Sequence, residues 1–160
     1  MRYVKIKRLV IDIIEPSINY IKKTRGRQSM PYKEIETILK IFYPRTKYEE
    51  AHSGFHKHVF IIHSNKKKLV LKIGRNRRRM RRDYETYHRL PKRIKNRYFA
   101  KIYWQHDLFM LQKYGREKNV PKETLSKLKR IGKDYGLKDV RPANIMKFGD
   151  AFKIVDAERI

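Results

Sequence analysis

The chain reads as an α+β protein, short antiparallel hairpins interleaved with helices, and three observations predict it. Val59 to Ile62 and Leu69 to Ile73 are β-prone runs separated by a polar turn, Ser64 to Lys68, which is the pattern of a hairpin. Arg77 to Leu90 contains neither proline nor glycine and repeats Met80, Tyr84, Tyr87 and Leu90 at helical spacing before Pro91 stops it. Asp139 to Asn144 is a short loop leading into a further hairpin, whose apolar return strand ends at Asp156.

The elements run in order along the chain. Tyr3 to Lys23 mixes apolar and basic groups around Pro16, and Tyr32 to Phe42 carries Ile35, Ile38, Leu39 and Phe42 at helix spacing. The run K-K-T-R-G-R-Q-S-M-P between them is an exposed basic linker, so residues 1–47 are expected to form a basic helical extension packed on the smaller lobe of the chain. In the first hairpin, Leu69, Leu71 and Ile73 share one face and Val70 and Lys72 the other, which sets Lys72 beside an apolar residue, as a lysine roofing a cleft would be. At ~100° per residue, Asp83 falls inside the apolar stripe of the next helix and Glu85 near its opposite side. Tyr98 to Gly115 is a second hairpin, two apolar runs around a Gln-His-Asp turn. Glu123 to Tyr135 repeats Leu125, Leu128 and Ile131 at helical spacing, stops at Gly136 and delivers the chain to the Asp139 loop.

That loop carries the chemistry. An acidic group and an amide separated by a tight turn, with a second carboxylate at a strand end, can converge on a divalent cation through oxygen ligands. A base and a cation are left beside it. The plainer alternative is a polar turn in which Asn144 caps and Asp156 is solvated.

The order of the motifs adds a family to this reading. D-V-R-P-A-N, from Asp139 to Asn144, resembles the D-L-K-P-E-N catalytic loop of the protein-kinase-like superfamily, and I-V-D-A-E sits where that family has its D-F-G. The resemblance implies that Asp139 orients and deprotonates the attacking hydroxyl, that Arg141 replaces the lysine steadying the transferred phosphate, and that Asn144 and Asp156 hold Mg²⁺. Upstream, V-L-K-I around Lys72 resembles the family's V-A-I-K. Ser53 and Gly54 stand where the nucleotide-covering loop would be, with one of its glycines kept. The carboxylate partner of Lys72 would come from the Arg77 helix: geometry favours Asp83, while the family's preference for glutamate leaves Glu85 as second choice. Backbone groups of Gln112 to Tyr114 would bind the adenine. The chain departs from the family at Leu137, where a histidine is usual, and at Ala157 and Glu158, which replace the phenylalanine and glycine after the metal-binding aspartate.

The resemblance covers about Glu50 to Glu158. It implies a protein-kinase-like fold over 48–160, with an antiparallel-sheet N-lobe and its helix at about 48–115. The C-lobe, about 116–160, is much reduced, as in RIO-like or lipopolysaccharide-kinase-like relatives. ATP and Mg²⁺ are the implied cofactors. A peptide-binding helical subdomain is not expected, and a protein partner or a dimer would complete the lobe.

Composition supplies the remaining constraints. The 160 residues are 40% hydrophobic, enough for one domain or a compact two-lobed unit. There is no cysteine, hence no disulfide and no thiolate metal site. No apolar run approaches membrane-spanning length, and the basic start lacks a cleavage site, so the cytoplasm is the expected location. Forty-two Lys and Arg against sixteen Asp and Glu give a formal charge of +26. A field of that size attracts polyanions, of which nucleic acid is the commonest. Arg75, Arg77, Arg78, Arg79, Arg81 and Arg82 are its densest cluster, placed to bind nucleic acid or the phosphates of a substrate. Two functions of different class are therefore expected: an ATP-dependent phosphotransferase, or a catalytically silent kinase-like scaffold that binds nucleic acid.

Overall fold

The computed structural model describes residues 2–25, 30–49, 57–74, 76–156 and 158–159. It is a mixed α+β structure. The N-terminal helices are α1 (Arg2–Leu9), a π-helical turn (Val10–Ile14), α2 (Glu15–Arg25) and α3 (Tyr32–Phe42). A five-stranded antiparallel sheet comes next, from β1 (Lys47–Glu49), β2 (Lys57–Ser64), β3 (Lys67–Gly74), β4 (Ile102–His106) and β5 (Phe109–Lys113), in the order β1-β2-β3-β5-β4. Helices α4 (Arg77–Arg89) and α5 (Lys92–Tyr98) lie between β3 and β4. After β5 come α6 (Lys122–Asp134), β6 (Leu137–Lys138), a 3₁₀ turn (Pro142–Asn144), β7 (Ile145–Phe148), β8 (Ala151–Ile154) and β9 (Glu158–Arg159).

The first three helices do not simply decorate the sheet. Ile6, Val10, Ile14, Ile35 and Leu39 share one buried cluster with Phe60, Leu69, Leu71, Ile73, Phe109 and Leu111, so the face of β3 predicted to be apolar is closed by α1 to α3. Pro16 leaves the run of helix unbroken. A proline cannot donate to the helix ladder and crowds the preceding turn. The widened turn ends just before it, with the Glu15 N–H reaching back to the Val10 carbonyl. A second, smaller cluster joins Tyr87, Leu90, Phe99, Leu128, Leu137, Val140, Ile145 and Ile154, and so ties α4 and α6 to the C-terminal hairpins.

Several boundaries differ from those predicted. The polar turn expected at Ser64 to Lys68 contracts to Asn65 and Lys66, because β2 and β3 pair as far as Ser64 opposite Lys67. Asn65 takes φ 47, a left-handed position that asparagine tolerates. The Gln-His-Asp turn moves on to Asp107 and Leu108: Gln105 and His106 stay in β4, where the His106 ring meets the Glu15 carboxylate at 2.9 Å. Helix α5 was not foreseen. Its sequence K-R-I-K-N-R-Y has no apolar stripe and none of its residues is buried.

Helix α4 matches its predicted span. Asn76 caps it by accepting the Arg79 N–H at 3.1 Å, and the chain turns extended at Leu90, ahead of Pro91. Met80, Asp83 and Tyr87 form its buried face. Helix α6 ends in a left-handed Gly136, at φ 69. One turn earlier Gly132 lies against Val140, and a Cβ built there would stand 2.5 Å from its Cγ2. That contact lets α6 seat directly on the loop that begins at Asp139. Among the described residues no helix is long and apolar enough to cross a membrane.

Candidate nucleotide site

Two short ladders bring the loop and the C-terminal carboxylate together. β6 pairs with β9, Lys138 opposite Glu158, and β7 pairs with β8, Ile145 opposite Ile154. The loop from Asp139 to Asn144 is therefore held at both ends against the segment carrying Val155 and Asp156. One further bond carries the second ladder onward: the Val155 N–H donates to the Asn144 carbonyl at 3.0 Å.

The loop is internally braced. Asp139 takes φ 58, a left-handed conformation that costs most L-residues about 1–2 kcal/mol and that Asp and Asn bear best. The Asn144 side-chain amide donates to the Asp139 carbonyl at 2.9 Å, and the Asn144 N–H donates to the Arg141 carbonyl at 2.9 Å. Asn144 is buried, whereas Asp139 and Arg141 are exposed. A buried, tethered amide thus holds an exposed carboxylate and an exposed guanidinium on a strained turn, the conformational signature common at functional sites.

Lys72 reaches this segment from the sheet. It lies on β3, the central strand, opposite Val59 on β2 and Met110 on β5, and not on an edge. Only 6% exposed, it donates to the Val155 carbonyl at 2.8 Å and to Asp156 Oδ1 at 3.1 Å. A lysine this deeply buried is tolerated because its ammonium finds partners. The Gln112 side-chain amide, 2% exposed, donates to the same Val155 carbonyl at 3.0 Å. Val155 is thus a junction: its carbonyl receives two groups from the sheet and its N–H binds the loop.

The helix residues separate by face. Asp83 is buried beside Met80 and Tyr87 on the side of α4 turned toward the sheet, while Glu85 accepts from Arg81 Nε at 3.0 Å on the outer side. Gln112 sits within β5 between Val70 and Ile102, so its backbone lies inside the sheet and its side chain carries its contact to the site. Tyr114 stands just beyond the strand, with the Lys68 ammonium 5.1 Å from its ring centre. Arg77, Arg78, Arg79, Arg81 and Arg82 stay on the exposed side of α4 and do not enter this cluster. Ser53, Gly54 and Arg75 lie outside the described residues.

One contributor, the Val155 carbonyl, escaped the sequence reading, and Gln112 was named there for its backbone rather than for its side chain. A backbone carbonyl such as that of Val155 leaves no signature in a sequence. The inward amide of Gln112 left one, a polar residue at the end of the apolar run F-M-L-Q.

The oxygen donors that the loop and its return segment offer are few. Among the described residues no three His, Cys, Asp or Glu side chains group as a metal site. Asp156 and the side-chain amide oxygen of Asn144 are such donors, and Mg²⁺ is usually held by one or two protein groups together with phosphates and water.

No family model matches the chain, and no curated protein matches it. Among solved structures, the chain is similar to the protein of the streptomycin-ATP-APH(2'')-IIa ternary complex, with 22% identity and a TM-score of 0.41. The match covers 68% of this chain and 36% of that one, so this chain spans little more than a third of its length.

Proposed function

We propose that the protein is an ATP- and Mg²⁺-dependent phosphotransferase of the protein-kinase-like superfamily, working in the cytoplasm on an acceptor hydroxyl. The observation that carries this reading is the ion pair of the buried Lys72 with Asp156, on a segment whose neighbouring residue is bonded to Asn144. A lysine, an amide and a carboxylate held together from a sheet and a loop are the polar groups that phosphoryl transfer needs.

In this reading Lys72 binds the non-transferred phosphates, with Asp83 behind it on α4, and Gln112 to Tyr114 border the base. Asn144 and Asp156 would hold Mg²⁺, which when bound neutralises charge on the phosphate oxygens. Asp139, exposed at the mouth of the loop, accepts the proton of the attacking hydroxyl. Arg141, two residues on, faces the transferred phosphoryl group. Nucleotide binding would take Asp156 from its ion pair with Lys72, exchanging that contact for metal and phosphate.

The test is thermal stability with ATP, with and without Mg²⁺, for the wild type and Asp156→Ala, since a ligand that binds only the folded state raises the melting temperature. A magnesium-dependent rise that disappears in the variant supports the assignment. No rise at millimolar ATP would leave the silent scaffold as the better account.

A further inference from the structure

We infer that the outer face of α4 and the exposed ring of Tyr135 form a binding site for single-stranded nucleic acid, independent of the proposed phosphotransfer site. Arg82, Glu85, Thr86, Arg89, Leu90 and Tyr135 line a cleft of about 240 Å³. The cleft runs along one face of the helix, since positions three, four and seven apart lie above one another. Arg78 continues that row by a further turn.

Three observations point to an anionic ligand with a flat apolar part. First, the arginines of this face are not spent on the protein's own acids. Arg77 is held by Asp107 at 2.6 Å and Arg81 by Glu85 at 3.0 Å, but Arg78, Arg82 and Arg89 have no acidic partner among the described residues. Glu85, the carboxylate in the cleft, is already engaged by Arg81.

Second, the charge works against the helix that carries it. The first turn of α4 holds arginines and no acidic residue of its own, although a helix N-terminus favours anions, and of these arginines Arg77 alone has a carboxylate among the described residues, Asp107, so phosphate bound at Arg78 would relieve the repulsion that is left. Third, six of the seven large apolar side chains exposed among the described residues lie on the N-terminal helices, and the seventh is Tyr135, at the mouth of this cleft. A tyrosine ring offered beside arginines is the combination on which unpaired bases stack while their phosphates are neutralised. A duplex keeps its bases inside, so the ring selects a single strand.

The experiment is fluorescence anisotropy with short labelled poly-uridine and poly-deoxythymidine strands, using the full chain over a range of salt. The variants are Arg82→Glu with Arg89→Glu, Tyr135→Ala and Tyr135→Trp. A control, Lys5→Glu with Arg8→Glu, makes the same change of charge on α1. The inference expects a loss of at least tenfold for the arginine pair and of about fivefold or more for Tyr135→Ala, with near wild-type binding for Tyr135→Trp. It also expects the slope of log affinity against log salt to shrink by about 1.4 when two phosphate contacts are lost. Equal losses in the α1 control together with unchanged binding by Tyr135→Ala would overturn it, leaving only diffuse charge. Preference for duplex DNA or for heparin over the single strands would overturn it as well. So would displacement of the strands by free AMP at equal phosphate concentration, which would make the ligand a mononucleotide. Should the arginine variant fail to fold, the Tyr135 pair decides alone, because alanine and tryptophan differ there in stacking.

Discussion

The two faces of α4 are made of neighbouring residues and serve opposite ends. Inward, Met80, Asp83 and Tyr87 are buried against the sheet and the C-terminal segment. Outward, Arg78, Arg82 and Arg89 stand in solvent, and Arg82 and Arg89 line one cleft with Tyr135. Arg82 and Asp83 are adjacent in the chain and separated by the ~100° turn of the helix, so one joins an exposed cationic surface and the other a buried site. A dense charge cluster therefore says little about function until it is divided by face. The inner half is read by burial and partners, and the outer half by what it lacks.

Perturbations of the inner side and of the loop it faces should have the larger effects. Asp139→Asn keeps a residue suited to the left-handed turn and removes the base, so phosphate transfer should fall by about 10²- to 10⁴-fold with little change in melting temperature. Retained transfer in that variant would withdraw the role given to Asp139. Gly132→Ala drives a Cβ into Val140 beside the same loop and should cost about 1–3 kcal/mol by denaturant unfolding, with weaker ATP binding if the loop shifts.

Within α4, Asp83→Ala removes a buried carboxylate and should destabilise by about 1–3 kcal/mol, whereas Glu85→Ala, with only an exposed partner, should stay within about 0.5 kcal/mol. Equal effects of the two would erase the contrast between the faces. Tyr87→Phe is the smallest change. It leaves the Ile102 N–H without the phenol oxygen 3.3 Å away, for a loss of about 1 kcal/mol near neutral pH. Burial raises the Tyr87 phenol above its usual range, so the native state favours the neutral form. That contribution is fully present below the unfolded value of about 10 and is lost as pH climbs toward the raised native one. Stability measured across that alkaline window should accordingly fall less steeply in Tyr87→Phe than in wild type.

Much of this was legible beforehand where the signal is local and periodic. The β2–β3 hairpin, the span of α4, the stop of α6 at Gly136 and the loop-then-hairpin around Asp139 all rest on alternation, helical spacing or breakers, which neighbouring residues supply. Turn lengths were less legible, because polar residues such as Lys67 or Gln105 pair into strands once a partner strand is present. Helix α5 has no apolar period to announce it. The choice between Asp83 and Glu85 was open in the motif but already weighted by geometry, and burial separates the two as the stripe suggested.

What the sequence determined by itself is most of the elements, their order, and the residue types available to a site: a lysine within a β-prone run, a carboxylate in the apolar stripe of an arginine-rich helix, and an Asp-Arg-Asn loop succeeded by an aspartate. Tertiary structure alone decided that the N-terminal helices close one face of the sheet, that Lys72 is buried on its central strand, and that the Val155 backbone joins sheet to loop. The physical reason is range. Propensity and periodicity act over a few residues along the chain, whereas Lys72 meets Asp156 only because strand registers and two hydrophobic clusters bring distant segments to within a hydrogen bond of each other.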